Sequence, residues 1–373
     1  MSPQAHVTGW GKYVPQRVLT NNDLAQMVET SDEWITTRTG IAERRIAADD
    51  ESTSSMAIKA AQKALSVANL NPTQIDLIIV ATATPDHAFP STACLVQDAL
   101  GATHAAAFDL SAGCSGFVYG LSVAAGLIEA GQYENVLIIG AETLSRITDW
   151  DDRATCVLFG DGAGAVILHG NAAEGGVLSG TLGADGSGGE LLCVPAGGCK
   201  RPPSHETVAE GMHYLTMKGR EVFRFAVRIM PSATRKVLEM ADLTIEDIDL
   251  IVPHQANQRI IASSARSLNL TPERVYSNVA RYGNTSAASV PIALCEAVDE
   301  GYVHQGDVLV LVGFGAGLTW AATALQWSAP LPTDPQSRTK AVWYKVLYRY
   351  AKVRSWIRSL VRKIAAQFTK FRQ

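Results

Sequence analysis

Asp109-Leu-Ser-Ala-Gly-Cys-Ser-Gly-Phe-Val118 places one cysteine, Cys114, between two different kinds of sequence. Upstream, residues 105–110 read as a short apolar strand. Downstream, residues 117–130 are apolar on nearly every face, the pattern of a helix buried all round. The strand breaks through small residues into that helix, and Cys114 sits at the break. Backbone N–H groups and the positive end of the helix dipole point at the sulfur there, a setting that lowers a thiol pKa and makes a nucleophile. The same features also describe an ordinary buried cysteine in a small-residue turn.

The flanking sequence supplies an α/β frame. A first strand is expected over 7–13, a short capped helix over 31–38 and a longer one over 53–68. Residues 75–83 form a β-rich run, 90–100 a helix and 136–140 another strand, and 156–169 a glycine turn feeding a strand. From about residue 170 to 198 the composition shifts to Gly, Ser and Ala, and the boundary between halves is placed at its start.

The second half repeats the first. An offset of 173 residues superposes Lys63, Leu65, Ala68, Leu70, Ile75, Asp76, Leu77 and Ile78 on Lys236, Leu238, Ala241, Leu243, Ile248, Asp249, Leu250 and Ile251 without a gap. It also carries Gly140 onto Gly313 and Cys114 onto Ala287. A duplicated strand–helix module, with mostly parallel sheets covered by helices, is the expectation. Three parts follow: residues 1–172 with the cysteine, 173–328, and a tail over 329–373.

Composition agrees with a folded α/β enzyme: 373 residues, 47% hydrophobic, 18% charged. The six cysteines (94, 114, 156, 193, 199, 295) show no CxxC pair and no Cys/His ligand spacing, so no metal site is expected and a reducing cytoplasm is the natural setting. The first residues lack a basic and apolar leader, and no apolar run reaches the roughly 20 residues a membrane helix needs. The net charge of −4 hides an asymmetry: residues 329–373 hold 11 of the 32 Lys/Arg and one of the 36 Asp/Glu. The body is acidic and the tail strongly basic.

Two further residues stand where chemistry belongs. The strand expected over 248–252 ends in Pro253-His254, and the first half has Ala81 at the equivalent place. The carboxyl end of a buried parallel strand is where α/β folds put catalysts, though a core histidine satisfied by backbone fits as well. Asn284 lies in the small polar turn Arg281-Tyr-Gly-Asn-Thr-Ser-Ala-Ala-Ser289, where it is either a functional amide or a turn residue. Gly313-Phe-Gly-Ala-Gly317 has the wrong spacing for a dinucleotide loop, and Phe159-Gly-Asp-Gly-Ala-Gly164 fails similarly.

Gly-Cys-Ser-Gly at 113–116, His-Gln-Ala-Asn-Gln-Arg at 254–259, Gly-Asn-Thr-Ser-Ala at 283–287 and Gly-Phe-Gly-Ala-Gly-Leu-Thr-Trp at 313–320 occur in the order and spacing of the β-ketoacyl-acyl-carrier-protein synthase III family. Ser-Asp-Glu-Trp34-Ile-Thr-Thr-Arg38 and Asp152-Arg153 match as well, so the resemblance spans about residues 7–327. It implies a thiolase-like fold of two similar βαβ-rich halves on a pseudo-twofold, layered α-β-α-β-α, and a homodimer. It implies that Cys114 takes an acyl group from a short acyl-CoA, and that His254 and Asn284 assist decarboxylation of malonyl-acyl carrier protein, with no cofactor.

By the same likeness the Cys114 and Ala316 amides form the oxyanion hole, Ala316 replacing a glycine common in the family. Trp34, Arg38, Arg153, Gly219 and Asn257 would bind CoA. Gln255, Ala256, Asn257, Gln258 and Arg259, with Arg224 and Arg266, would dock the acidic carrier protein. Phe89 resembles the residue that limits acyl-chain length at the dimer interface. No nucleic-acid partner is implied. Alternatives are a condensing enzyme or acyltransferase of a polyketide, quinolone or long-chain hydrocarbon pathway, and a catalytically silent scaffold. A thiolase proper fits less well, since the 315–317 loop lacks a second cysteine.

The tail departs from the family. After a proline-rich linker over 330–337, Trp343, Val346, Leu347, Tyr350, Val353, Ile357, Leu360, Ile364, Phe368 and Phe371 recur at helical spacing with Lys and Arg opposite. Such a basic amphipathic helix meets an anionic membrane or an acidic partner, or packs its apolar face on its own body.

Overall fold

The structure, a computed structural model, describes residues 3–329 and 338–370. The linker expected over 330–337 and Phe371 lie outside them. The first half comprises β1 (Gln4–Tyr13), α1 (Asp32–Thr39), α2 (Thr53–Ala68), β2 (Leu77–Ala81), α3 (Thr92–Leu100), β3 (Ala106–Leu110), α4 (Gly116–Glu129), β4 (Asn135–Thr143) and β5 (Asp161–Asn171). The second comprises β6 (Gly176–Ala184), α5 (Gly219–Met240), β7 (Leu250–Pro253), α6 (Gln258–Ser267), α7 (Ser289–Asp299), β8 (Val308–Gly315) and β9 (Thr319–Gln326), and α8 (Arg338–Lys370) follows. One sheet has the order β1-β5-β4-β2-β3, the other β7-β8-β9-β6. Ser328 bonds His6, and Ala329 packs into the core, so the body runs one residue further than 328.

The sheets are mixed rather than mostly parallel. β2 runs parallel to β3 and β4, and β7 to β8, while β1–β5, β4–β5, β8–β9 and β9–β6 are antiparallel. Connection length explains the difference. A parallel return needs a crossover of a dozen or more residues, whereas β8 reaches β9 through the tight turn at residues 316–318.

The offset of the repeat recurs in space: Leu77 and Leu250 start β2 and β7, Asn135 and Val308 start β4 and β8, and Gly116 and Ser289 start α4 and α7. The short 3-10 turns that precede α4 and α7, Gly113–Ser115 and Ser286–Ala288, correspond residue for residue. Each opens with left-handed backbone, φ 53° at Gly113 and 47° at Ser286.

Helices α4 and α7 share one core with both sheets, through Phe117, Leu121 and Ile128 on one and Val290, Leu294 and Val298 on the other. Alternation along each strand divides the layers. Leu77 and Ile79 face that middle layer, while Ile78 and Val80 pack outward on Ala57, Ala60 and Val96 of α2 and α3. On the other side Val310 and Val312 meet Phe225, Ala226 and Ile260 of α5 and α6. The result is five layers, α-β-α-β-α. Full burial of each large apolar side chain contributes about 1.5–3 kcal/mol.

Glycines set the spacing of the middle layer. A Cβ on Gly140 would fall 2.1 Å from the Ala287 carbonyl oxygen, and one on Gly164 2.7 Å from the Ile292 nitrogen. Gly140→Ala should therefore cost about 3 kcal/mol or more, read as a lowered denaturation midpoint. Gly126, helical and with nothing within 4 Å of an added Cβ, provides the contrast. Gly126→Ala should raise stability by about 0.5–1 kcal/mol.

Candidate active site

Cys114 lies at the head of α4, buried, in the turn that crosses from β3. Gly113 takes the left-handed bend that turns the chain, and a Cβ there would stand 2.9 Å from the Ala316 nitrogen. Burial pushes the Cys114 thiol up to about 12, with the Ser286 hydroxyl working against that rise and the Glu142 charge adding to it. The expectation of a lowered pKa from the helix start is thus reversed in the closed site. Enclosure outweighs the local donors, and the resting residue is a thiol.

Ser286 is the pivot between Cys114 and Asn284. Its N–H donates to Asn284 Oδ1 at 2.8 Å, which anchors the amide oxygen and leaves the Asn284 NH₂ as the outward donor. The Asn284 backbone is fixed to the other half, its N–H donating to the Leu158 carbonyl at 2.8 Å and its carbonyl accepting from Gly160 at 3.0 Å. A serine with positive φ is uncommon, and here the Asn284 side chain holds it.

His254 follows directly after β7 and is buried. Its Nδ1 lies 2.6 Å from Ser289 Oγ, and Ser289 Oγ also accepts the Gln255 N–H at 3.3 Å. The Ser289 hydroxyl has no other acceptor among the described residues, so its proton is assigned to Nδ1, which puts the imidazole proton on Nε2. Nε2 is buried and has no partner among the described residues. Burial pulls His254 down to about 3, so the ring is neutral near physiological pH. Phe314 meets it edge-on, with ring centroids 5.1 Å apart.

From Phe314 the chain runs through Gly315, whose added Cβ would be 2.4 Å from the Cys114 nitrogen. Among the described residues neither the Cys114 nor the Ala316 N–H has a backbone or side-chain acceptor other than the cysteine's own sulfur. Ala316 is not among the residues with positive φ, so replacing the family's glycine introduces no strain there. Thr319 Oγ1 donates to the Ala112 and Ala316 carbonyls at 2.8 and 3.0 Å and receives Ser115 Oγ at 2.9 Å, which ties the two sides together. Glu142 sits beneath: it accepts from Thr84 Oγ1 at 2.6 Å, the Thr84 N–H at 3.1 Å and the Ala287 N–H at 3.4 Å. Burial raises its pKa.

At the surface, Arg38 and Arg153 both lie over the Trp34 ring, 4.6 and 4.9 Å from its centroid. Asn257 caps α6 and its amide donates to the Arg38 carbonyl at 3.1 Å. Gly219 begins α5. Arg224, Arg259 and Arg266 are exposed, Arg259 resting 5.5 Å from the Phe223 centroid. Gln258 is exposed, and Ala256 is half-buried.

One expectation changes. Gln255 is 1% exposed: it donates to the Pro253 carbonyl at 2.7 Å and accepts from the Asn278 N–H at 2.9 Å, so it holds the strand exit and offers nothing to a docking protein. Phe89, expected at a dimer interface, is 87% exposed on its own chain. Four residues that the sequence did not single out, Ser286, Ser289, Thr319 and Glu142, complete the site. No sequence signal flags them, because Ser289 meets His254 within the same half only in the folded chain.

Two pH responses follow. Since the Cys114 pKa is raised, the resting thiol should react with iodoacetamide more slowly than exposed Cys94 and Cys199, as peptide mass mapping would show. His254 binds its proton more weakly folded than unfolded. Its contribution is therefore present above about pH 6.5 and lost as pH falls toward about 3. His254→Gln should flatten that part of the stability–pH curve, measured by urea denaturation.

The model of the 3-oxoacyl-[acyl-carrier-protein] synthase III family matches residues 108–186, and that of its C-terminal part matches 238–327. The β-ketoacyl-[acyl-carrier-protein] synthase III of Caldanaerobacter subterraneus is 57% identical over 324 residues, covering 87% of this chain and 98% of its own. The solved 3-oxoacyl-[acyl-carrier-protein] synthase III of Aquifex aeolicus is 51% identical with a TM-score of 0.81, covering 87% of this chain and all of the other. A priming β-ketosynthase from a polyketide pathway has the same TM-score of 0.81 at 37% identity, over 88% and 98% of the two chains. With that similarity over nearly its whole body, the chain belongs to the β-ketoacyl-acyl-carrier-protein synthase III family of thiolase-fold condensing enzymes.

Proposed function

We propose that the protein is the acyltransferase that opens fatty-acid synthesis, condensing a short acyl-CoA, acetyl-CoA foremost, with malonyl-acyl carrier protein. Cys114 Sγ attacks the acyl-CoA thioester carbonyl, the C–S bond to CoA breaks, and the thiol proton leaves with CoA, giving an acyl-cysteine. The oxyanion of that step meets the Cys114 and Ala316 N–H groups. Malonyl-acyl carrier protein then loses CO₂. The electron pair of the broken C–C bond becomes an enolate, whose oxygen accepts from His254 Nε2–H and the Asn284 amide. The carbanion attacks the acyl carbonyl and expels the Cys114 thiolate, which regains a proton. No metal or redox group enters this sequence.

The observation that carries the reading is the anchoring of both donors from behind. Ser289 holds His254 at Nδ1 and Ser286 holds Asn284 at Oδ1, so each is left with an N–H to give. A carboxylate in either place would repel the enolate. The lower identity of the polyketide-priming relative, 37% against 57%, favours the fatty-acid role.

CoA is assigned to the Trp34–Arg153 face, with the adenine taking the place of a guanidinium on the indole, Arg38 toward the phosphates, and Gly219 and Asn257 along the pantetheine arm. The carrier protein is assigned to Arg224, Arg259 and Arg266, an exposed cationic group on an acidic body. A homodimer through the free edge of β3 is supported by exposed Phe108 and Phe89 beside it. Phe89 would then close the partner's acyl pocket. The free state of all six cysteines supports a cytoplasmic setting, and no helix among the described residues is long and apolar enough to cross a membrane. The basic C-terminal helix is assigned to an anionic surface.

Incubation with a panel of acyl-CoAs should add one acyl group by intact mass, with acetyl or another short chain best, and Cys114→Ala should abolish it. Labelling by long-chain acyl-CoA alone would move the enzyme to a specialised pathway, and no labelling would make it a scaffold. His254→Ala and Asn284→Ala should retain acylation and lose malonyl decarboxylation by about 10²–10³-fold each. Ser289→Ala, which frees the ring to adopt the wrong tautomer, should lose about tenfold.

A further inference from the structure

Helix α8 is 33 residues long, roughly 50 Å at 1.5 Å per residue, and it docks by only one narrow face. Tyr344 is buried, and its hydroxyl donates to the Leu65 and Leu70 carbonyls at 3.3 and 3.1 Å. Tyr348 stacks on it and packs against the α2–α3 core. Ala351 seats on Gly101 at the end of α3, where an added Cβ would come within 3.1 Å, and Ser355 bonds Asp98. From Trp356 to Ile364 every residue is exposed.

The residues left outside form a continuous strip. Val346, Tyr350, Val353, Ile357, Leu360 and Ile364 recur at alternating steps of four and three, with Trp343 and Val361 alongside, and all are exposed. Arg349, Lys352 and Lys363 border the strip on one side and Arg354 and Arg358 on the other. The segment carries no Asp or Glu between 338 and 370. Such a seam could pair with a second copy of itself, but cations on both flanks would face cations across that interface, which opposes self-pairing. Apolar and aromatic side chains between two cationic rows fit the boundary of an anionic bilayer, where the strip enters the acyl region and the Lys and Arg stems reach up to the head groups.

We propose that α8 is a rigidly mounted membrane-surface anchor. It is bolted to α2 and α3 by Tyr344, Tyr348, Ala351 and Ser355, and it lays the Val346–Ile364 strip on anionic lipid. This rests on the reading of the tail as meeting an anionic surface and commits that surface to lipid and to this face. The anchor stands on the outer layer, with a β-sheet between it and Cys114, so binding leaves the active site open to its soluble partners.

The full-length protein would be sedimented with vesicles of phosphatidylcholine containing phosphatidylglycerol, and with phosphatidylcholine alone. Wild type should pellet with the anionic vesicles, poorly with the neutral ones, and less as salt is raised. Tyr350→Ser/Val353→Ser/Ile357→Ser should bind at least about tenfold more weakly, and Arg349→Glu/Lys352→Glu should do the same on anionic vesicles only. Acylation of Cys114 in solution should be unchanged in both, which shows that they fold. Failure of wild type to pellet would sink the anionic-surface reading itself. Pelleting unaffected by the triple serine variant would sink the assignment of this face. Tail-dependent binding to acidic carrier protein instead of vesicles, or a molecular mass that falls in the serine variant without any vesicle binding, would overturn the lipid assignment in favour of a protein occupant.

Discussion

The fold depends on how closely two helix starts approach the strand that ends beneath each of them. Gly140 of β4 lies under the Ala287 carbonyl, and Gly313 of β8 lies against Ser115, 3.3 Å from an added Cβ to the Cα. These are equivalent contacts, exchanged between halves by the pseudo-twofold. A side chain at Gly140 would push the helix start off its sheet, and one at Gly313 would press it back by a few tenths of an ångström. Because each half's helix is seated on the other half's strand, neither half completes its own site.

That exchange explains the division of chemical labour. One copy of the left-handed turn carries Cys114 and the other carries Ser286, with Asn284 before it; one copy of the strand exit carries Ala81 and the other His254. Duplication created two pockets' worth of geometry, and the two halves have converged on one. Enclosure then sets the charge state. The thiol is held up to about 12 and the imidazole down to about 3, so both reacting side chains are neutral at rest. Enclosure in a low-dielectric interior strengthens the N–H groups aimed at an oxyanion.

Much of this was legible in the chain. The break from strand into an all-round apolar run located Cys114 and its buried helix, and the departure from the repeat at Ala81 located His254. What the sequence concealed were side chains whose role depends on which residue the fold brings against them. Ser289 and Thr319 are ordinary small residues until His254 or Ala316 is placed against them. Gln255 read as part of an exposed His-Gln-Ala-Asn-Gln-Arg run, yet the first residues after a buried strand remain inside, and its amide is consumed by Pro253, Tyr276 and Asn278. The thiol pKa was misjudged because a helix start is visible in sequence whereas the degree of enclosure is not.

The tail shows the same limit from the opposite side. Periodicity correctly marked an apolar strip, and the natural inference is that the strip packs on the body. The body instead takes the face of Tyr344, Tyr348, Ala351 and Ser355, which is polar enough to escape a hydrophobic pattern. Tyr344 adds its hydroxyl to the Leu65 and Leu70 carbonyls at the end of α2, the Leu65 carbonyl already accepting the Asn69 and Leu70 N–H groups, and Tyr348 contributes its stacked ring. A Leu or Ile in place of Tyr344 would bury area and lose those two hydrogen bonds. The docking face is thus an aromatic and polar one, and the hydrophobic face is left for whatever lies outside the molecule.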